Sequence, residues 1–422
     1  MSLRFVVTAS TIGTLIEWYD FFAYASISPY IAAKFFPKGD PAAAVIFTWL
    51  VFATGFVVRP LGAAVFGHLG DRVGRKTTFL ATLLLMGTST FLIGLLPTYD
   101  QVGILAPVLL ATLRMLQGVA LGGEFGGAVT YVLEHAPQDK RAFYAGFISA
   151  TPPLGLGLSS LTLVATAFTM PKADFEAWGW RVPFLISIVL TLFGLWLRFR
   201  LAETPLFERL KAEGNVSRVP IVEAFAKYPL YMLVGIAVAA GHSVLAYTAT
   251  GYIFPYLTNA LKWNPVDANM AVGAASIAQL PFYILNAYMA DRVGRRRIYM
   301  AGLVMGLAVF YPIYYTIAGV KNLALISLLI FVLILTTAFT FSVLGTALAE
   351  LFPTRVRYTG MSLAFNIGIG LFGGFTPSIV HALGVMFNNP LAGVLLYTYA
   401  IVIMALLVAL KWLPETAQRQ LA

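Results

Sequence analysis

The sequence predicts an all-α integral membrane protein of twelve transmembrane helices, built as two pseudo-symmetric six-helix halves. Three observations predict it. Of 422 residues, 59% are hydrophobic and 11% charged, whereas charged residues make up about a quarter of a soluble domain. Apolar runs long enough to cross a bilayer, about 20 residues each, follow one another with short polar interruptions. The pentapeptide Asp-Arg-Val-Gly-Arg begins at Asp71 and again at Asp291, 220 residues later. A repeat at about half the chain length marks a duplicated architecture.

Taken in order, the spans are 7–33, 44–67, 77–97, 102–133, 142–169, 181–201, 228–259, 267–289, 298–319, 322–349, 358–387 and 389–412. The first carries Glu17 and Asp20 and is followed by further spans, so it reads as a retained helix and not a cleaved leader. Placing both termini in the cytoplasm puts 20 of the 28 Lys and Arg on the inner side, Arg198 among them; six fall outside, Lys38 included, and Arg59 and Arg114 lie within spans. This excess is the bias that orients multi-pass proteins in the cytoplasmic membrane. It accounts for the net charge of +10 without a nucleic-acid partner. The expected partners are the lipid bilayer and a small metabolite, and the expected state is a monomer. The chain has no cysteine, which excludes a disulfide framework, a thiolate metal site and a thiol nucleophile.

Two further echoes accompany the pentapeptide. Glu134-x-x-Pro137-x-x-x-Arg141 returns as Glu350-x-x-Pro353-x-x-x-Arg357, and Glu203-Thr204 returns as Glu415-Thr416. They divide the chain into an N-terminal half, 1–202, and a C-terminal half, 228–422, joined by a charged linker, 203–227. The linker is expected to lie as an amphipathic segment on the membrane surface.

Ionisable groups within a span cost several kcal/mol and usually mark an ion or substrate route. Five stand out: Glu17, Asp20, Arg59, Arg114 and Glu124. Glu17, Asp20 and Tyr24 share one helical face by their spacing. At 1.5 Å per residue, Asp20 lies about 20 Å up the first helix and Arg114 about 18 Å into the fourth from the opposite side, so the two are able to pair near mid-bilayer. A neighbouring Arg favours the ionised carboxylate and burial the neutral acid. An Asp20 released when a substrate carboxylate takes Arg114 would therefore pick up a proton, and substrate and proton would travel together. The competing reading is a permanent ion pair between helices. Arg59 suits a bidentate grip on an anionic substrate; snorkelling, or pairing with Glu17 or Asp20, is the alternative. Glu124, among glycines spaced for close helix packing (Gly118, Gly122, Gly126), reads as a second protonation site or as a partner for a basic residue. Gln117, one turn beyond Arg114, and Tyr24 are further substrate-binding candidates, and Glu17, nearer the cytoplasm than Asp20, is a further candidate for the coupling role. In the C-terminal half the candidate substrate-binding groups are neutral: His242, Tyr247, Gln279, Asn286, Ser342 and Asn366. Each is open to the alternative of an interhelical hydrogen bond. No metal-ligand cluster accompanies His242, so the only ion expected to take part is the proton and no cofactor is expected.

The stretch Gly67-x-Leu69-x-Asp71-Arg72-x-Gly74-Arg75-Lys76 resembles the signature between the second and third helices of the major facilitator superfamily; its second copy has Ala287 where the first has Gly67. Gly13-Thr-Leu-Ile-Glu17-Trp18-Tyr19-Asp20-Phe21-Phe22, Gly55-Phe-Val-Val-Arg59-Pro60-Leu61-Gly62, Arg114-Met-Leu-Gln117-Gly118, Gly122-Gly123-Glu124-Phe125-Gly126-Gly127 and Trp180-Arg181-Val-Pro183-Phe184 resemble the metabolite:proton symporter family within it. That resemblance covers essentially the whole chain. It implies proton-coupled symport of an organic acid such as shikimate, citrate or 2-oxoglutarate, or of a zwitterion such as proline or betaine, by alternating access. It also implies that the loops around Asp71, Arg72, Arg75 and Lys76, and around Asp291, Arg292 and Arg295, gate the cytoplasmic side. Glu134 with Arg141, and Glu350 with Arg357, are expected to form a second ring of latches.

Other signals point away from enzymes and pumps. Gly368-x-Gly370-x-x-Gly373 spells a dinucleotide fingerprint but sits in an apolar span with no preceding strand. Neither a Gly-x-x-x-x-Gly-Lys-Ser/Thr loop nor His-Glu-x-x-His occurs, which argues against an ATP-driven pump and a metalloprotease. Uniport or exchange stays open, because Thr151-Pro152-Pro153-Leu154-Gly155 partly resembles a pattern of superfamily antiporters.

Overall fold

A computed structural model describes residues 2–37, 39, 41–263, 265–417 and 419–421; Lys38 of the charge tally lies outside them. Among the described residues there is no strand, and eleven helical segments are long and apolar enough to span a membrane. We number the spans α1 to α12. The first, α1 (Leu3–Ser26), has 24 residues; its Glu17 and Asp20 lower its hydropathy. The others are α2 (Leu50–Arg72), α3 (Arg75–Leu95), α4 (Leu105–His135), α5 (Gln138–Thr169), α6 (Gly179–Phe199), α7 (Pro229–Thr258), α8 (Met270–Val293), α9 (Arg295–Gly319), α10 (Leu323–Leu351), α11 (Thr354–Met386) and α12 (Val394–Trp412). Their ends differ from the sequence-derived spans by a few residues, as is usual where the terminal turn frays.

The polar interruptions explain where helices stop. Gly74 and Gly294 stand between α2 and α3 and between α8 and α9, with φ of +142° and +114°, a backbone region that only glycine enters without strain. At Arg59-Pro60 the helix of α2 breaks at Val58, since proline has no N–H to donate. The glycines of α4 bring it against α2 backbone to backbone. A Cβ at Gly118 would sit 2.2 Å from the Gly55 carbonyl oxygen, and one at Gly122 2.2 Å from that of Arg59. Large side chains such as Leu50, Leu61, Phe168, Leu192 and Leu328 are exposed on the outer surface, as expected of helices facing lipid.

Between α6 and α7 two short helices, Pro205–Ala212 and Pro220–Lys227, run along the side that carries the chain ends. Glu223 fastens the second to α11 through Arg355 at 2.8 Å and also takes bonds from Ser217 at 2.6 Å and Lys227 at 3.2 Å. Burial opposes its charge, but these donors outweigh burial and hold its carboxyl below the ordinary value.

The first six and last six spans meet on this linker side through matched devices. Asp71 accepts from the N–H groups of Tyr358 (3.2 Å) and Thr359 (2.8 Å) at the start of α11. Asp291 accepts from those of Ala142 (3.0 Å) and Phe143 (2.8 Å) in the first turns of α5. Each carboxylate therefore caps a helix of the opposite half, where the helix dipole favours negative charge.

Candidate functional site

About 18 Å above Asp71 along α2, twelve residues at 1.5 Å each, Arg59 is buried between the halves. Its Nε donates to Asn366 Oδ1 of α11 at 3.1 Å, while its two terminal nitrogens make no hydrogen bond of good geometry. The guanidinium lies 5.6 Å from the Trp18 ring and 5.5 Å from that of Phe56, with Tyr247 of α7 as a polar neighbour. Asn366 is held by bonds from its Nδ2 to the carbonyls of Gly122 (2.7 Å) and Ser362 (2.8 Å). Arg59, Asn366 and Tyr247, three of the separate sequence candidates, thus lie together, and Trp18 and Phe56 join them.

A second guanidinium lies close by. Arg114 stacks on Phe21, Tyr24 and Phe52 at 4.5, 4.5 and 4.9 Å from their ring centres. Its Nη1 donates to Gln117 Oε1 (2.7 Å) and to the Phe21 carbonyl (3.2 Å), and its Nε and Nη2 have no partner. A Cβ at Gly55 would lie 3.5 Å from Arg114 Nη2. Gly55 is one turn from Arg59 on the same face of α2, so the two guanidiniums flank one aromatic cluster.

The expected pairing of Asp20 with Arg114 is not formed in this structure. Asp20 is fully buried, both its oxygens lack a hydrogen bond of good geometry, and the hydroxyls of Ser187 and Thr90 lie beside it. Gln117 Nε2 donates to Thr90 Oγ1 at 2.6 Å, so Gln117 and Thr90 stand between the acid's surroundings and the arginine. The reason is geometric: the Arg114 guanidinium is taken up by the aromatic rings and Gln117, while Asp20 faces α3 and α6.

Glu17 and Glu124 do find a basic partner, and it is one that the charge tally misplaced. Arg198 is 1% exposed and bonds Glu17 Oε1 at 2.9 Å and Glu124 Oε1 at 2.5 Å. Its guanidinium lies over the Phe79 ring and in the space left by Gly13. Arg198 belongs to the protein interior and not to the inner loop charge.

The remaining neutral candidates separate. His242 Nδ1 is 2.7 Å from Thr340 Oγ1 and its ring stacks on Phe341, an arrangement within the C-terminal helices. Ser342 donates to the Phe339 carbonyl at 3.2 Å. Gln279 and Asn286 are buried on α8, and Gln279 Oε1 and Asn286 Nδ2 lack partners. The Tyr24 hydroxyl donates to the Thr48 carbonyl at 2.9 Å.

The gating candidates form a network on the linker side. Arg75 bridges Asp71 (3.1 Å) and Glu134 (3.4 Å) and donates to the Thr354 carbonyl (2.6 Å). The expected pairs of Glu134 with Arg141 and of Glu350 with Arg357 are exchanged, because each acid at a helix end faces the opposite half and not its own following loop. Glu134 pairs across the halves with Arg357 at 2.9 Å. In the second copy Arg295 bridges Asp291 (2.9 Å) and Glu350 (3.2 Å), and Arg141 approaches Glu350 at 4.0 Å. Gly67 packs on Thr359 so closely that a Cβ would lie 2.8 Å from its Cα. Lys76 Nζ donates to the Phe199 carbonyl at 3.0 Å. Arg72 and Arg292 are exposed, Arg292 over Tyr288. The sequence reading passed over Glu203 and Glu415 as partners of these loops, each within its own half. Glu203 takes the N–H groups of Arg75 (3.1 Å) and Lys76 (3.2 Å), and Glu415 those of Arg295 (2.8 Å) and Arg296 (3.2 Å).

Two helical bundles that meet through matched polar contacts on one side, with Arg59 buried between them and Arg114 buried beside it without an acidic partner, define a membrane carrier that moves a small solute. Residues 5–221 match the family model described as "Sugar (and other) transporter", and residues 236–421 match "Major Facilitator Superfamily". Similar curated proteins include the inner membrane metabolite transport protein YhjE of Escherichia coli, 37% identical over 99% of this chain and 95% of that one. The shikimate transporter of E. coli is 33% identical over 94% and 91%, and a putative proline/betaine transporter of Staphylococcus haemolyticus 34% over 88% and 80%. Among solved structures, the proton:xylose symporter XylE bound to 6-bromo-6-deoxy-D-glucose superposes with a TM-score of 0.80 at 18% identity, covering 99% of this chain and 97% of that one. Its inward-open form, from E. coli, gives 0.64, also at 18% identity, covering 99% and 98%. The chain belongs to the major facilitator superfamily and is a multi-pass membrane transporter of metabolites, a class that catalyses no covalent reaction.

Proposed function

We propose that this transporter is a proton-coupled symporter of a small organic acid or zwitterion, a monomer in the cytoplasmic membrane with both termini inside. The observation that carries the reading is the pair of buried guanidiniums with unsatisfied nitrogens, Arg59 at the meeting of the halves and Arg114 beside it within the N-terminal half. A buried cation left without an anionic partner is costly, and a substrate carboxylate supplies that partner with charge-assisted bonds. Arg59, supported by Asn366 and Tyr247, anchors the carboxylate, and the aromatic rings of Trp18 and Phe56 cover the rest of the molecule. Asp20 takes up the co-transported proton, and Arg114, with Gln117, answers its charge as the site changes conformation.

Residues 1–202 and 228–422 rock about this site, and the 203–227 segment lets them do so while staying joined. The linker side is the cytoplasmic side, sealed here by Asp71, Arg75, Glu134 and Arg357 and by Asp291, Arg295, Arg141 and Glu350. The likeness to transporters named for shikimate and for proline/betaine supports this substrate class. Uptake of radiolabelled organic acids and zwitterions into proteoliposomes, with and without an imposed proton gradient, tests the reading. Accumulation above equilibrium only with the gradient is expected; uptake indifferent to the gradient would replace symport by uniport or exchange.

A further inference from the structure

Glu17, Glu124 and Arg198 bring two carboxyls and one guanidinium into a site that is at most 1% exposed at each residue. The two acids differ sharply in how well they are held. Glu124 takes two bonds from Arg198 (Nη2 to Oε1 at 2.5 Å, Nη1 to Oε2 at 3.4 Å), one from Thr14 at 2.8 Å and one from Thr82 at 2.8 Å. Four donors satisfy it as an anion. Glu17 takes a single bond from Arg198, at Oε1, and its Oε2 is buried with no hydrogen-bond partner, while its carboxyl lies beside that of Glu124. One guanidinium neutralises one carboxylate. Two ionised carboxylates at such a site would leave an uncompensated charge in a medium where that costs several kcal/mol, and adjacent acids in this position share a proton.

We infer that Glu17, Glu124 and Arg198 form a second proton-binding site, about one helical turn nearer the linker side than Asp20, in which Glu17 is the surplus acid and holds the proton. The proton comes from water on the linker side and sits on Glu17 Oε2; no other group changes charge. The charged and titratable neighbours include Arg198 from α6, Glu124 from α4, Asp20 further along α1, and Tyr358 from α11, while α3 contributes the Phe79 ring and the Thr82 hydroxyl. Tyr358 also closes the site. Its hydroxyl donates to the Gly123 carbonyl at 2.9 Å and its ring rests where Gly127 and Gly70 leave no side chain. Its backbone N–H is one of the two that Asp71 holds. Opening the Asp71 latch therefore carries Tyr358 away and uncovers Glu17, so the site exchanges its proton only when the linker side opens. A role in relaying the coupled proton from Asp20 rests on the symport reading; the binding of the proton does not.

Infrared difference spectroscopy of the full chain in lipid nanodiscs tests this. In Asp20→Asn protein at neutral pH, a buried carboxylic-acid carbonyl band is expected that shifts in D2O. The band should be lost in Asp20→Asn with Glu17→Gln. It should also be lost in Asp20→Asn with Glu124→Gln, because Arg198 then serves Glu17 alone and ionises it. A band that survives either second substitution, or is missing from Asp20→Asn, would overturn the site. Adding Asp71→Asn to Asp20→Asn should speed deuterium exchange of the band; unchanged exchange would overturn the part given to Tyr358. Gradient-independent uptake by the wild type, with the band present, would remove symport and leave this site standing.

Discussion

At the scale of single residues, the site is defined by polar groups that the fold buries without satisfying. Asp20 and the terminal nitrogens of Arg59 are the clearest. Asp20→Asn keeps the size and hydrogen-bonding capacity of the side chain but cannot exchange a proton with the medium. It is expected to abolish gradient-driven accumulation while leaving exchange of internal for external substrate measurable in preloaded proteoliposomes; unaltered accumulation would move the coupling role to Glu17. Arg59→Lys keeps the charge and loses the planar fork. A lost charge-assisted hydrogen bond is worth about 1.5–3 kcal/mol, and each 1.4 kcal/mol is a factor of about 10. The half-saturating substrate concentration should therefore rise by about ten- to a hundred-fold, with much less effect on the rate of counterflow at saturation. Equal uptake curves would show that Arg59 only packs against Trp18 and Phe56.

At the scale of elements, the turns between α2 and α3 and between α8 and α9 repeat the same construction. A glycine at positive φ turns the chain, and the carboxylate of Glu203 or Glu415 takes the first N–H groups of the next helix. A Cβ at Gly74 or Gly294 would fall 2.3 or 2.2 Å from that carboxylate as well as forcing a strained backbone worth about 1–3 kcal/mol. Gly74→Ala and Gly294→Ala should each lower the melting temperature of the detergent-solubilised protein by a few degrees. Gly157→Ala on α5, where the space around the glycine is open, should be neutral or slightly stabilising, because alanine is the better helix former; equal losses at all three positions would refute the account. These turns were legible in the sequence because the Asp-Arg-Val-Gly-Arg repeat and the Glu-Thr echo share one order. Arg198 was not, because an arginine at the end of an apolar run counts as loop charge. Helical spacing carries the missing signal: Ser187, Thr191, Gly194 and Arg198 fall at intervals of four, three and four on one buried stripe of α6. The Asp20–Arg114 pairing failed for another reason. Depth along two helices fixes height in the membrane but not the rotation that turns Asp20 toward Thr90 and Ser187, nor the rings that occupy Arg114.

At the scale of the whole molecule, two halves joined on one side by a few polar latches and by the packing around them form a two-state object. Its closed linker side stands on carboxylates that cap helices of the opposite half, Asp71 on α11 and Asp291 on α5. Each cap joins two backbone N–H groups to a charge, and removing the charge while keeping the shape isolates its share. Loss of one charge-assisted bond costs about 1.5–3 kcal/mol, enough to move the open population by about tenfold or more. The chain has no cysteine, so a single introduced thiol reports without background. Ser362 is buried on α11, against the position where Gly126 of the other half leaves room. Ser362→Cys should react slowly with a membrane-impermeant maleimide applied to the linker side, and about tenfold faster when Asp71→Asn or Asp291→Asn is added. The matched geometry predicts similar accelerations for the two substitutions, and for the double variant a larger one, since each releases its own half of the contact. If labelling stays slow in all three, the latches do not hold the halves together and closure is carried by the apolar packing of Phe125 on Phe341 and Phe365, whose ring centres lie 5.1 and 4.4 Å away.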